Sequence, residues 1–582
     1  MSYFKYNNGM KKIVIGLLFS AIMMGLISCE ELLSPVDENL IGDDFATVDP
    51  SSAEGLLLNA YAGVLGQYQF TSVATDDAVT NQLTSGYRRM ATGELTAQFN
   101  PAGRWSKYED IFYVNKFLSI IDQVKWQEDS LLNELTYRRL KGEALALRAL
   151  HHFYVLEGHA GKDAEGNLLG IPYFKEFIDN EGNFNVPRPS FEATIDSIVA
   201  DFDSAYAYLP YVYSSNPDDI PDKDTIYDQD AYLTVNSQYY NNRINGQIVR
   251  ALQGRVKLFA ASPAFLNSAE VYQEAVSYVS PLVDEINFLL PSDGIEYYES
   301  DLDSDNPEVL WRRSVAENAN QEQNNFPPSL NGNGNVNPSQ NLVDAFPMAD
   351  GYPRGSSESM YDYDPNDPYV NRDPRLDKYI LVNGGMIGSN TIYTDKSSEQ
   401  DGVNQVSQKS TRTGYYLKKL LRPDVIIPVS GNVVVQNHYE VYFRYTELFL
   451  ILAEAQNEIG GPNYRANGVF LSARDILRLS RRRALDLFSD PYLEGISSQD
   501  EMRSLIRNER RLELCFEGNR FWDLRRWGVE LDEPVYGYYK DETGYEQIEV
   551  EKRLFEGDKY TYMPIPYSEI LKFSALVQNA GW

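Results

Sequence analysis

Charged side chains are most concentrated between Asn508 and Trp527. Within this stretch Glu513 follows Arg510 by three residues and precedes Glu517 by four, so these side chains are neighbours on a helix. A pair of carboxylates can serve as acid and base in glycoside hydrolysis. The interleaved arginines lower carboxylate pKa values and favour ion pairs. The stretch therefore predicts a structural helix rather than a hydrolase site.

Histidine and cysteine side chains form no recognisable reactive site in this sequence. The histidines are His151, His152, His159 and His438, and a zinc site needs more ligands at closer reach. We expect them to pack as aromatic side chains do. Cys515 lies in an apolar helical context, which predicts a buried, unreactive thiol. The sequence has no glycine-rich phosphate loop, nucleophile elbow or HExxH motif.

Two acidic strings raise the question of a structural calcium ion. Their alternating residues are Asp301, Asp303 and Asp305 in the first, and Asp362, Asp364 and Asn366 in the second. Neither string has the glycine and the distal glutamate of an EF-hand loop. We therefore expect solvated acidic loops and no cofactor, with calcium as the alternative.

Aromatic residues near polar groups in loops are the candidates for ligand binding, because sugar rings stack on aromatic faces and hydrogen-bond to planar groups. Seven aromatic or polar residues are the candidates. They are Asp76, Asn81 and Arg89 in the first long loop, Trp105 at its end, and Tyr297, Tyr298 and Trp311 around the first acidic string. Core packing is the alternative interpretation for each of them.

The first thirty residues have the organisation of a secretory signal. Lys11 and Lys12 precede an uncharged apolar run from Ile13 to Ile27, which is short for a membrane span. Ser28-Cys29 follows and resembles a bacterial lipobox, in which cleavage before the cysteine leaves a lipidated N-terminus. We therefore expect Cys29 to carry acyl chains, such as palmitate, that tether the mature protein to a membrane.

The composition excludes some partners. The 582 residues carry a formal net charge of −32, which argues against nucleic acid and against docking on anionic lipid through basic patches. Only two cysteines are present, so with Cys29 lipidated no internal disulfide can form.

Helical periodicity dominates both ends of the sequence. The predicted helices include Trp105–Val124, Tyr137–Gly158, Gly246–Phe265, Ala269–Ile286, one beginning at Tyr439, Ala466–Ala484 and Gln499–Gly518, and Ser190 is predicted to cap a further helix. Between them, residues 290–438 are rich in Asn, Gly, Asp and Pro, with strand-like runs at Val425–Val429 and Val433–Val435. Long irregular segments in compact proteins are usually functional.

These patterns predict a mostly α fold. Tetratricopeptide-like helix pairs as the scaffold, with a loop-rich insertion that contains a few short strands, would fit them. The predicted parts are a lipoprotein signal at 1–28, a tether at 29–50, an N-terminal helical part at 51–289, the insertion at 290–438 and a C-terminal helical part at 439–582.

Several segments together resemble the SusD/RagB family of outer-membrane nutrient-binding lipoproteins. They are Asn59 to Tyr61, Trp105 to Asn115, Glu143 to Arg148, Pro187 to Ser190, Asp201 to Leu209, Arg372 to Arg375, Phe443 to Glu447, Asn508 to Trp527, Pro564 to Pro566 and Gln578 to Trp582. Their order and their spread over nearly the whole chain make the resemblance specific.

The resemblance implies a mostly helical fold whose irregular region carries the ligand face. It also implies a non-catalytic lipoprotein on the outer face of the outer membrane. Such a protein binds a nutrient, most often an oligosaccharide, and delivers it to a SusC-like TonB-dependent transporter. Peptide or glycopeptide cargo on the same architecture, a glycoside hydrolase, and an envelope adaptor without a small ligand are the alternatives. Because ligand-contacting residues vary in this family, the resemblance transfers none of them.

Overall fold

The computed structural model describes residues 49–582, except 180, 181, 288, 291–297, 299–305 and 439. The helices are α1 Pro50–Ala62, α2 Gly86–Arg89, α3 Lys107–Ile120, α4 Ser130–His159, α5 Phe191–Tyr208, α6 Gln229–Val235, α7 Gly246–Ala261, α8 Ala269–Glu285, α9 Asn320–Asn325, α10 Gln340–Ala345, α11 Pro374–Tyr379, α12 Tyr445–Gly460, α13 Ala473–Leu485, α14 Pro491–Gly495, α15 Gln499–Glu513, α16 Arg520–Arg526 and α17 Tyr567–Lys572. The fold is mostly α, as predicted.

The strands are short and pair two at a time. They are β1 Ala78–Thr80, β2 Gly161–Lys162, β3 Leu168–Leu169, β4 Val309–Arg312, β5 Ala316–Asn318, β6 Val336–Pro338, β7 Ile380–Leu381, β8 Met386–Ile387, β9 Asn390–Thr391, β10 Tyr416–Leu417, β11 Gln436–His438, β12 Val441–Arg444, β13 Val535–Asp541 and β14 Gly544–Glu551. The antiparallel pairs are β1–β6, β2–β3, β4–β12, β5–β11, β7–β10, β8–β9 and β13–β14.

The long helices pack in a continuous series, in which each buries its apolar stripe against the next. The series runs α1, α3, α4, α5, α7, α8 and α12, and α12 then contacts α13 and α15. Because α8 and α12 pack against each other, the scaffold continues across the irregular region between them. Within the described ranges, no helix combines the length and the apolar content needed to cross a bilayer.

Local signals explain where the helices begin. The side chain of Ser190 accepts a hydrogen bond from the Ala193 N–H at the start of α5, which confirms the predicted N-cap. At α15, Ser498 and Glu501 bond reciprocally to each other's backbone N–H in a capping box. Both devices satisfy N–H groups that the first turn of a helix leaves without partners.

A buried ion-pair network fixes the irregular region to the C-terminal helices. Glu513, 1% exposed, lies 2.9 Å from Arg375 of α11 and 2.8 Å from Arg483 of α13. Burial raises the pKa of Glu513, but these arginines outweigh it and hold the pKa well below its ordinary value. Glu517 pairs with Arg444 at 2.9 Å in the same network. The charged stretch is therefore a scaffold in which the carboxylates are ion-paired.

Several helix limits differ from the sequence prediction. The helix expected from Tyr439 begins at Tyr445, because Val441–Arg444 forms β12 and pairs with β4. Only one bridge, Ile426 to Val434, joins the two strand-like valine runs. The predicted part boundaries at 290 and 438 remain predictions.

Candidate functional site

The first long loop meets the irregular region through strand pairing and side-chain bonds. β1 pairs with β6, and the Asn81 amide donates hydrogen bonds to the carbonyls of Asn333 and Gly334 at 2.9 and 2.7 Å. Arg412 donates to the Thr80 carbonyl at 3.0 Å. Asn81 is 3% exposed, so its side chain holds the two segments together and offers little surface to a ligand.

Asp76 is likewise engaged inside the protein. It is 5% exposed and accepts hydrogen bonds from Arg520 at 3.0 and 2.7 Å, while Arg511 lies 2.8 Å away. Burial raises the pKa of Asp76, but the guanidinium groups of Arg511 and Arg520 outweigh burial, so the pKa falls below its ordinary range. This carboxylate therefore anchors the loop to the C-terminal charged segment.

Among the sequence candidates of the first loop, Arg89 has the most accessible side chain. It is 43% exposed, pairs with Glu94 at 2.5 Å, and stands over the Phe99 ring at 4.5 Å. An arginine held over an aromatic ring presents both a planar donor and an apolar face.

The aromatic candidates pack against the core. Trp311 is 1% exposed, and its indole N–H donates to the Asn242 carbonyl at 3.0 Å. Tyr298 is 4% exposed. Neither ring offers a face to solvent, which argues against the expected stacking role, and Tyr297 lies outside the described residues. Trp105 is half-buried against Tyr108 and His159, with ring centroids at 4.9 and 5.4 Å.

A partly exposed aromatic surface occurs instead on the β13–β14 hairpin. Tyr538 and Tyr545 stack with ring centroids 5.2 Å apart and planes within 10° of parallel. Tyr369 meets Tyr545 edge-on at 5.8 Å, and the Arg354 guanidinium stands 4.7 Å from the Tyr363 ring. We call Arg354, Tyr363, Tyr369, Tyr538 and Tyr545 the tyrosine face.

The hairpin positions this surface. The Asp541 carboxylate accepts a hydrogen bond from the Thr543 N–H at 2.8 Å, and Gly544 takes φ +128°, which favours glycine. Tyr545 is opposite Lys540, two residues from Tyr538, so the two tyrosines lie on the same side of the ladder.

Polar groups accompany the four rings. All four tyrosines are half-buried, and Arg354 is exposed and donates to Asp344 at 3.0 Å. Burial raises the pKa of Tyr538 to about 12, so its hydroxyl stays protonated at neutral pH and donates to the Pro365 carbonyl at 3.3 Å. Half-exposed rings beside hydrogen-bonding groups suit a sugar ring better than an ion.

Sequence reasoning missed this surface, although a signal for it was present. Residues 535–551 have β-forming residues, mainly Tyr, Val and Ile, on both sides of the turn sequence Asp541-Glu-Thr-Gly544. This is a hairpin pattern. The pattern predicts the hairpin, but it cannot predict that Tyr363 and Tyr369 meet it from a distant loop.

The other candidate groups, which are the histidines, Cys515 and the acidic strings, offer no reactive site among the described residues. His152 is fully buried and stacks on Tyr173 at 3.8 Å, as the packing interpretation predicts. The Cys515 thiol is 1% exposed, and burial raises its pKa to about 12, as expected of an unreactive thiol.

The second acidic string forms local turns, in which Asp364 accepts from the Asn366 N–H at 2.8 Å. The first string lies outside the described residues. In the described part of the chain, no group of three or more His, Cys, Asp or Glu residues is placed to hold a metal ion.

Sequence comparison finds relatives along most of the chain. The profile of the SusD family matches residues 302–582, and a profile described as starch-binding associating with outer membrane matches residues 53–233. The SusD-like protein P38 of Formosa agariphila is 23% identical over 552 residues, which cover 91% of this chain and 95% of that protein. The SusD-like protein P25 of the same organism is 22% identical over 549 residues, 89% of this chain and 90% of that protein.

Solved structures share the fold. A SusD-like protein of Bacteroides fragilis superimposes with a TM-score of 0.70 at 24% identity, covering 94% of this chain and 100% of that one. A SusD-like carbohydrate-binding protein of B. fragilis gives 0.69 at 21% identity, covering 91% and 99%. A laminarin-binding SusD-like protein gives 0.54 at 19% identity, covering 91% and 99%. With family profiles matching both helical parts and the fold shared over nearly its whole length, the chain belongs to the SusD/RagB family.

Proposed function

We propose that this protein binds a glycan at the outer membrane and delivers it to a SusC-like TonB-dependent transporter. The family membership supports the general role, because one matching profile is described as starch-binding and outer-membrane-associated. Two fold relatives are described as carbohydrate-binding and laminarin-binding. The tyrosine face is the proposed contact surface for the glycan.

One observation carries this assignment: four half-exposed tyrosine rings and an exposed arginine lie together where the hairpin meets the irregular region. Sugar rings bind proteins by stacking their C–H faces on aromatic rings while planar polar groups bond their hydroxyls. Arg354 and Asp344 supply such groups beside the rings. The chemistry needed is binding and release, without a reaction.

The anchoring proposal follows from the N-terminal sequence. Cleavage before Cys29 and acylation of its thiol would tether the mature protein to the membrane. Residues 30–48 would then link the lipid to α1, whose N-cap is Asp49. We propose that this tether keeps the protein beside its transporter on the outer face of the membrane.

A non-catalytic role fits the state of the carboxylates in the charged segment. Glu509 and Glu513 both bond to Arg375, at 2.8 and 2.9 Å, and both are buried. Carboxylates fixed by an arginine in the core do not face the open cleft that a glycosidase acid requires. We therefore propose binding without turnover.

The experiment that tests this proposal is affinity electrophoresis of residues 30–582 against a panel of polysaccharides, with calorimetry on each hit. We expect Tyr545→Ala and Tyr363→Ala to weaken binding of the retained glycan about tenfold each, as expected for the loss of one aromatic contact. Tyr227→Ala is the matched control, because it removes a half-buried tyrosine of the helical part.

Unchanged affinity in both tyrosine-face variants would refute this surface as the contact. Binding of peptides in place of every glycan would refute the proposed cargo.

A further inference from the structure

A second groove opens on the helical side of the molecule. It has a volume of about 510 Å³ and lies between the end of α1, the segment before α7 and the end of β4. The side chains that matter here are Tyr61, Tyr239, Tyr240, Arg243, Arg312 and Arg313. None of the described residues that line it is acidic. We call it the arginine groove.

One wall of the arginine groove is fixed from behind. Arg243 lies 3.0 Å from buried Glu143 and 2.7 Å from Glu54. The Tyr61 hydroxyl donates to Glu143 at 2.9 Å and accepts from the Ile244 N–H at 3.1 Å. These bonds hold the ring and the guanidinium in place before any ligand arrives, which lowers the entropy cost of binding.

The floor is equally rigid. The buried indole of Trp311 donates to the carbonyl of Asn242, a lining residue, and its ring packs 4.7 Å from that of Tyr442, another lining residue. Trp311, a sequence candidate for ligand contact, thus supports this groove from beneath.

The open side carries the groups that a ligand would meet first. Tyr239 is 86% exposed and meets Tyr240 edge-on at 5.2 Å. Arg313 is exposed, with its backbone N–H bonded to the Glu440 carbonyl at 2.8 Å. A tyrosine this exposed gains little from folding, whereas it gives a sugar ring a face to stack on.

The charged residues that line the groove are basic, whereas the chain as a whole is acidic. Three arginines line the groove in a protein of net charge −32, and one of them, Arg243, is already paired with Glu143 and Glu54. Guanidinium groups bind carboxylate and sulfate groups through paired N–H donors. Arg313, exposed at the open side of the groove, is therefore the cation that favours an anionic group on the ligand.

We infer that the arginine groove is a second carbohydrate site, which takes sugars bearing a carboxylate or a sulfate. This inference rests on the proposed glycan-binding function but concerns a different surface. Tyr239 and Tyr240 would stack on the pyranose ring, and Arg313 would bind its anionic substituent. Neutral sugars lack that substituent and would bind only through stacking.

The test is calorimetric titration of residues 30–582 with three probes of equal length: an oligogalacturonate, a sulfated galactan oligosaccharide and a neutral malto-oligosaccharide. We expect at least one acidic probe to bind about tenfold more tightly than the neutral one, with an affinity that falls as NaCl rises from 50 to 500 mM. Whichever acidic probe binds identifies the anionic group.

The variants locate the site. Arg313→Gln and Tyr239→Ala should each weaken binding of the acidic probe about tenfold. Arg482→Gln, which removes the same charge from an exposed position on α13, should not. Tyr545→Ala on the tyrosine face should also leave this binding intact.

Three results would overturn the inference: neutral and acidic probes of equal affinity, no binding of either acidic probe, or equal effects of Arg313→Gln and Arg482→Gln. If polysaccharides are still retained at the tyrosine face, the proposed function survives such a failure. If no glycan of any kind binds, both fail together.

Discussion

Acid should destabilise the fold through its buried histidines, and His152 allows this to be measured. Its Nδ1 lies 2.8 Å from the Arg148 carbonyl, and its Nε2 accepts from the Phe174 N–H at 3.1 Å. Protonation of Nε2 would turn that acceptor into a donor facing another donor. Burial lowers the pKa of His152 to about 3, from 6.5 for an exposed imidazole, and the Arg148 charge adds to the effect.

The sign and size of the effect follow from linkage. Between pH 6.5 and about 3 the unfolded chain binds a proton at this position that the folded chain does not, so stability falls as the pH falls. At pH 5 the difference in pKa corresponds to about 2 kcal/mol of lost free energy of unfolding for His152 alone. That loss is a large part of a typical net stability.

The assay is guanidinium unfolding of residues 30–582 at pH 7 and pH 5, followed by tryptophan fluorescence. We expect the wild type to lose about 2 kcal/mol more between these pH values than His152→Gln, because the variant has no imidazole to protonate. Carboxyl groups with raised pKa values, such as Glu157, contribute equally to both proteins and cancel in the difference.

His438→Gln is the matched control, with the opposite sign. Burial lowers the pKa of His438, but its bond to Glu322 at 3.0 Å outweighs this and raises the pKa above 6.5. Its contribution is therefore fully present below pH 6.5 and is lost as the pH rises through the raised pKa. Equal pH dependence of the wild type and His152→Gln would refute the reasoning, as would a His438 effect of the same sign.

Three further changes test the core and the anchor. Trp311→Ala should lower the free energy of unfolding by about 3–5 kcal/mol, because it leaves a large cavity and an unpaired Asn242 carbonyl; denaturant unfolding measures this. Glu454→Gln should lower the free energy of unfolding by about 3 kcal/mol at pH 7, because it breaks the ion pair with Arg526. Burial raises the pKa of Glu454, but Arg526 outweighs burial and lowers it to about 2, so the penalty should disappear as the pH falls from about 4.5 towards 2. A penalty that stayed constant in a pH series of unfolding curves would contradict this. Cys29→Ser should abolish palmitate labelling and move the protein out of the membrane fraction, whereas membrane retention of the unlabelled variant would argue against the lipid anchor.

The helical scaffold could be predicted because its signals are local. The Ser190 cap and the apolar stripe of α12 each lie within a few residues of the element they define. The start of α12 was misplaced because Val441–Arg444 pairs with β4, more than a hundred residues earlier. No local pattern reports such a partner.

The proposed ligand surface was harder to predict for the same reason. Trp311 and Tyr298 are residue types that can stack on a sugar ring, but the exposure of their rings depends on which residues pack over them, and both rings are buried. Tyr369 lies in the irregular region and Tyr545 in the hairpin near the C-terminus, so their rings meet only after folding. Sequence patterns thus gave aromatic candidates in loops, but they could not predict which rings stay accessible after folding.

The measurement that tests the central proposal most directly is calorimetry of residues 30–582, wild type and Tyr545→Ala, with the polysaccharide best retained in affinity electrophoresis. We expect saturable binding by the wild type and about tenfold weaker binding by the variant, with Tyr227→Ala unchanged. Equal affinity of all three proteins for that glycan, or no glycan bound by the wild type, would contradict it.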